Sequence, residues 1–105
     1  MKKNVIIRFN FLFLLFLATG ASASSAGDLA YGEYLAGECV ACHQIGAEGG
    51  IPPINALPAA YFIEALKEYK DGTRDHDLMR MVSRSLGEKE IEALAAYFEQ
   101  LDIEN

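Results

Sequence analysis

The sequence has 105 residues, which is enough for about one small domain. It contains 15 acidic and 9 basic residues, for a net charge of −6 at pH 7. Such an acidic chain repels nucleic acid and anionic lipid, and it favours a protein partner with a basic docking face.

The first 26 residues have the three parts of a secretory signal peptide. Lys2, Lys3 and Arg8 form a basic start, an apolar run covers residues 9–18, and small residues fill positions 20–26. The apolar run is about half of the roughly 20 residues that a spanning helix needs, so we expect cleavage rather than a membrane anchor. The small residues fit cleavage after Ala23 or after Ala26. The junction contains no cysteine, so a lipoprotein is not expected.

The predicted division is therefore a signal peptide over residues 1–23 and a domain over residues 24–105, exported to the periplasm. Six basic residues and all 15 acidic residues lie beyond residue 26, so the mature domain carries a net charge of −9. Export in the unfolded state implies that any cofactor is added outside the cytoplasm.

Helical spacing dominates the mature domain, and the first helix is predicted over residues 29–38 with Asp28 as its N-cap. Residues 46–58 hold three glycines and all three prolines, which predicts a loop. Pro58 then opens a second helix, which ends before Gly72.

A shorter third helix is capped by Asp75 or Asp77 and continues towards Leu86. The last helix is the clearest, because its apolar residues form one stripe: Ile91, Leu94, Ala95, Phe98 and Leu101. The sequence therefore predicts an all-α domain of about four helices.

Both cysteines lie in one segment, Cys39-Val40-Ala41-Cys42-His43. A zinc site would need a second ligand pair, and the one other histidine, His76, stands alone. A dithiol redox pair should follow a strand, whereas this pair follows a predicted helix. Covalent attachment of one haem c needs two thiols and an adjacent histidine for the iron, and the segment supplies all three. A domain this small commonly needs a disulfide, a metal or a bound cofactor to be stable, so we expect the protein without haem to be largely unfolded.

The sixth ligand of the iron must come from downstream of His43. Met79, Met81 and His76 are the candidates, and the spacing favours a methionine. A thioether on iron raises the reduction potential relative to bis-histidine ligation, which suits an electron acceptor. Met79 and Met81 are two residues apart and point in different directions on a helix, so one site cannot use both. Spacing alone leaves the choice between them open.

Four segments resemble the small monohaem cytochromes c of the His/Met type: residues 32–43 (GEYLAGECVACH), 50–52 (GIP), 69–72 (YKDG) and 86–98 (LGEKEIEALAAYF). Among these proteins the chain is most similar to the cytochrome subunit of flavocytochrome c sulfide dehydrogenase. The resemblance implies a small cytochrome c fold and an axial methionine seven residues before Leu86, which is Met79.

The resemblance also implies that a proline carbonyl accepts the His43 Nδ1–H. Pro52 matches the family element, although Pro53 is adjacent. It further implies a close crossing of the first and last helices, with Leu35 near Leu94 and Tyr97.

The expected function is that of an electron carrier rather than an enzyme. In the first hypothesis the chain is a haem subunit that accepts electrons from a sulfide-oxidising flavoprotein and passes them to another redox protein. In the second it is a free soluble shuttle between periplasmic redox complexes. In the third it is a haem enzyme or gas sensor with an open iron site.

Overall fold

The computed structural model describes residues 27–103, which form four helices and contain no strand. The helices are α1 (Leu29–Val40), α2 (Ala59–Asp71), α3 (Asp77–Arg84) and α4 (Glu88–Glu99). The predicted all-α class with four helices is confirmed. The predicted signal peptide lies outside the described residues. Within residues 27–103, no helix is both long enough and apolar enough to cross a membrane.

Helix α1 begins where the sequence predicts it. The Asp28 carboxylate accepts a hydrogen bond from the Tyr31 amide at 3.1 Å, which satisfies a free N–H of the first turn. The helix ends at Val40, two residues later than predicted. Cys39 therefore lies within its last turn.

Helix α2 has Pro58 as its N-cap rather than inside its first turn. Proline has no side-chain acceptor, and the Glu99 carboxylate from α4 instead accepts from the Ala59 amide at 2.9 Å. At the other end Gly72 has φ of 89°, a left-handed conformation that glycine adopts without a Cβ clash. The predicted stop at Gly72 is confirmed.

Helix α3 is capped by His76, so the prediction of Asp75 or Asp77 as its N-cap is wrong. The Nδ1 atom of His76 lies 3.3 Å from the Met79 amide. Both aspartates instead face Arg80, whose guanidinium lies 3.0 Å from Asp75 and 3.7 Å from Asp77. Asp77 is the first residue of the helix and Asp75 lies before the cap position, so the cap falls to His76 between them.

Helix α4 begins after Gly87, which has no side chain that could accept a hydrogen bond. The Glu90 carboxylate reaches back to the Gly87 amide and supplies half of a capping box. The helix then contributes most of the core, with five buried residues: Ile91, Ala93, Leu94, Ala95 and Phe98.

The core is small and lies between α1, α2 and α4. Its buried apolar residues outside α4 are Ala36, Phe62 and Leu66, and the Phe62 and Phe98 rings stack at 5.6 Å. Helix α3 contributes no apolar residue to this buried set, because the one residue it buries is Ser83. Helix α3 instead packs on α2, and its Met79 lies partly buried against the core cluster.

The first and last helices cross at Gly32. A Cβ placed on Gly32 would lie 2.1 Å from the Ala93 carbonyl oxygen and 2.7 Å from the Tyr97 Cβ. The two backbones approach this closely because glycine has no side chain. Leu35 and Tyr97 pack against the buried cluster that contains Leu94, in agreement with the crossing that the family resemblance implies.

We expect Gly32→Ala to destabilise the haem-loaded protein by about 2 kcal/mol, because the new methyl group would meet backbone that cannot rotate away. In a domain of this size the melting temperature should fall by about 10 °C. Gly37→Ala is the matched control, since it lies in the same helix and its Cβ would have no neighbour within 4 Å. That variant should be slightly more stable than the wild type, by about 0.5–1 kcal/mol. Equal melting temperatures in the two variants would contradict the close crossing.

Candidate functional site

The two cysteines are presented by the C-terminal end of α1. Cys39 lies in the last helical turn, and the chain then turns back so that the Cys42 and His43 amides both donate to the Cys39 carbonyl, at 3.2 and 2.8 Å. Cys39 is half-buried and packs against the core cluster, whereas Cys42 is exposed. One helix end thus fixes both thiols and the adjacent imidazole relative to each other.

The environment of the first thiol favours its neutral form. Burial raises the pKa of the Cys39 thiol, and the neighbouring Glu38 carboxylate raises this pKa further. A raised pKa is the opposite of the lowered pKa that is typical of redox-active cysteines.

The His43 ring is oriented by the loop that follows it. Its Nδ1 atom lies 2.7 Å from the carbonyl oxygen of Pro52. A carbonyl can only accept, so Nδ1 carries the proton and donates, which leaves the Nε2 lone pair of the neutral ring available to a metal. The acceptor is Pro52 and not the adjacent Pro53.

The three candidates for the second axial position have different surroundings. Met79 is partly buried and packs against the core cluster, whereas Met81 is 66% exposed. His76 is exposed, and its Nδ1 atom is engaged by the Met79 amide. The role of His76 as a helix cap was missed from the sequence, since histidine is not among the usual N-cap residues.

The residues around the motif fit a large apolar cofactor. Exposed apolar side chains that lie in the two segments holding the cysteine pair and Met79 include Ile45, Ile51, Leu78 and Val82. Covering such side chains with a macrocycle would add apolar contact that the small protein core does not supply. Among residues 27–103, no three side chains of His, Cys, Asp or Glu are grouped to hold a bare metal ion.

Comparison with known proteins assigns the fold to a family. The family model for cytochrome c matches residues 29–102, which cover all four helices. Cytochrome c-554(548) of Halomonas halodenitrificans is 38% identical over 81 residues, which cover 70% of this chain and 95% of that protein.

Two longer relatives match over a part of their length. The thiosulfate dehydrogenase electron acceptor of Thiomonas intermedia is 33% identical over 70 residues, which cover 63% of this chain and 32% of that protein. Cytochrome c4 of Pseudomonas aeruginosa is 34% identical over 90 residues, which cover 81% of this chain and 44% of that protein. The matched residues of this chain therefore span 32% and 44% of the length of these two relatives.

The matched family, the four-helix fold and the Cys-x-x-Cys-His segment all agree with one another. The cofactor of the family is haem c, held covalently, and Cys39 and Cys42 fit its attachment motif. The chain belongs to the cytochrome c family and is an electron-transfer protein.

Proposed function

We propose that this cytochrome c holds one haem through thioether bonds from Cys39 and Cys42, with His43 and Met79 as the axial ligands of the iron. The observation that carries the proposal is the 2.7 Å hydrogen bond between His43 Nδ1 and the Pro52 carbonyl, directly after the cysteine pair. It leaves Nε2 as the free nitrogen and holds the ring in one orientation.

The surroundings of the three candidates support Met79 as the second ligand. Its side chain is partly buried against the core, on the side of α3 that faces the other helices. Met81 is largely in solvent, and the imidazole of His76 is already used as a cap. Met79 is also the residue that the family resemblance implies.

When bound, haem c supplies a redox couple, the ferric and ferrous states of its iron, which exchanges one electron at a time. The protein's part is to hold and tune that couple. The Pro52 carbonyl makes the His43 imidazole a better donor to a metal by accepting its Nδ1 proton. The Met79 thioether raises the reduction potential, which suits a protein that accepts electrons.

The electron donor in this proposal is a flavoprotein subunit that oxidises sulfide, as the family resemblance implies. Oxidation of sulfide would take place at the partner's flavin, and the electrons would leave this chain one at a time to another redox protein. The net charge of −9 beyond residue 26 favours a basic docking face on the partner and makes the rate of encounter dependent on salt.

A second candidate is a free shuttle that serves a thiosulfate dehydrogenase. Two relatives favour it, because the proteins from Thiomonas intermedia and Stutzerimonas stutzeri are named thiosulfate dehydrogenase electron acceptors. Both candidates place the protein in the oxidation of an inorganic sulfur compound.

The proposed site of action is the periplasm. Residues 1–23 have the pattern of a cleaved signal peptide, and haem attachment would follow export. The mass of the mature protein checks this directly, because cleavage after Ala23 or Ala26 leaves two distinct masses, each increased by one haem.

Purification from the native periplasm tests the proposed function. The expected result is a red protein whose haem spectrum travels with a flavin-bearing chain, and sulfide should reduce the haem of that complex. A lone red monomer that is reduced by thiosulfate dehydrogenase, and not by a flavoprotein with sulfide, would favour the second candidate. A colourless mature protein with two free thiols would overturn the proposal.

A further inference from the structure

We propose that His76 is a positioning residue, which holds Met79 where its sulfur can reach the iron. This inference rests on the proposed ligation by Met79. The Nδ1 atom of His76 accepts a hydrogen bond from the Met79 amide at 3.3 Å, so the cap is made to the residue that carries the sulfur. His76 also accepts from the Arg80 amide through its own carbonyl, at 2.8 Å.

Helix α3 is the shortest of the four helices, so the hydrogen bonds of its first turn matter to its stability. It has eight residues, which is too few for a helix to persist on its own in water. It buries Ser83 and no apolar residue. Met79 is the third residue of this helix, in the first turn, where a lost cap has its largest effect.

The imidazole that makes this cap is itself supported from α2. The Tyr69 ring meets the His76 ring edge-on, with centroids 6.4 Å apart and planes at 78°. Arg74 lies over the same Tyr69 ring at 5.4 Å and pairs with Glu68 at 2.8 Å. His76 therefore links the surface of α2 to the backbone of Met79.

The tautomer follows from the same hydrogen bond. Nδ1 faces an amide N–H and must accept, so the proton of the neutral ring lies on Nε2. The Oδ1 atom of an asparagine N-cap can accept the same bond, whereas an alanine at position 76 cannot. Asparagine and alanine variants thus separate the loss of the cap from the loss of the imidazole.

The test compares the haem-loaded variants His76→Ala and His76→Asn. Three properties are measured: carbon monoxide binding to the reduced protein, the reduction potential, and the red absorption band of sulfur-ligated ferric haem. His76→Ala should bind carbon monoxide about fivefold more tightly, the factor that corresponds to the roughly 1 kcal/mol lost with an N-cap. It should also lower the potential and weaken the band. His76→Asn should restore all three properties towards the wild-type values.

Asp28→Ala is the matched control. It removes a cap of the same geometry from α1, a bond of 3.1 Å from a side chain to the amide three residues later. It should lower the melting temperature in the same way as His76→Ala and leave carbon monoxide binding, potential and band unchanged.

Three results would overturn the inference. If His76→Ala matches Asp28→Ala in every readout, the cap of α3 has a structural role alone. If His76→Asn opens the iron as fully as His76→Ala, the hydrogen bond to the Met79 amide is not what holds the sulfur, and the inference fails. If Met79→Ala leaves carbon monoxide binding unchanged, the proposed ligation fails and this inference fails with it. The first of these results, together with an effect of Met79→Ala on carbon monoxide binding, would remove the inference and leave the proposed ligation in place.

Discussion

Replacing Cys39 and Cys42 together with alanine is expected to yield a protein without haem and with little of its helical circular dichroism. The buried apolar set is small, and α3 adds none of it, so the helices have little to hold them together without the macrocycle. The measurement is the far-ultraviolet circular dichroism of the purified variant. Its signal at helical wavelengths should fall to that of a mostly unfolded chain.

Val40→Ala is the matched control for this experiment. It shortens an exposed side chain between the same two cysteines and leaves both thiols and His43 in place. The variant should be red and as helical as the wild type. Native helicity in the cysteine double variant would show that the polypeptide folds on its own and would contradict the predicted dependence on haem.

Met79→Ala is expected to open the iron to external ligands. While the thioether is bound, a competing ligand can enter only through the minor open state, which is populated at about 0.1–10%. Removing the sulfur should therefore tighten carbon monoxide binding to the reduced protein by about 10- to 1,000-fold. The reduction potential should fall, because the thioether is the ligand that raises it.

The neighbouring methionine supplies the comparison. Met81→Ala removes the same type of side chain from the same helix at a position that is 66% exposed, and it should bind carbon monoxide as weakly as the wild type. The opposite pattern would make Met81 the ligand. Strong binding by the wild type itself would favour the gas sensor or haem enzyme with an open iron site.

The elements with strong local signals were predictable from the sequence. Asp28 as a cap, Gly72 as a stop and the apolar stripe of α4 are all confirmed, because each depends on residues close together in the chain. The spacing of the cysteine pair and His43 likewise identified the haem motif that the family match supports.

Features that depend on contacts between residues far apart in the sequence could not be predicted from local sequence patterns. Gly32 reads locally as a weak helix former, and nothing near it in the sequence shows that Ala93 lies against it. Asp75 and Asp77 are good N-cap types, but the helix begins at Asp77, so the cap position is that of His76, and both aspartates lie near Arg80. Side-chain burial also separates Met79 from Met81, which spacing could not do.

The crossing of α1 and α4 sets the order of events in the folding of this protein. The first helix cannot meet its partner until the polypeptide has been synthesised past Phe98, so almost the whole domain must emerge before the two can pack. Before the two helices pack, the cysteines at the end of α1 belong to an open chain, and the proposed export in the unfolded state would deliver them in that form to the compartment where haem is attached. Attachment of the haem would then come before the packing of α1 against α4.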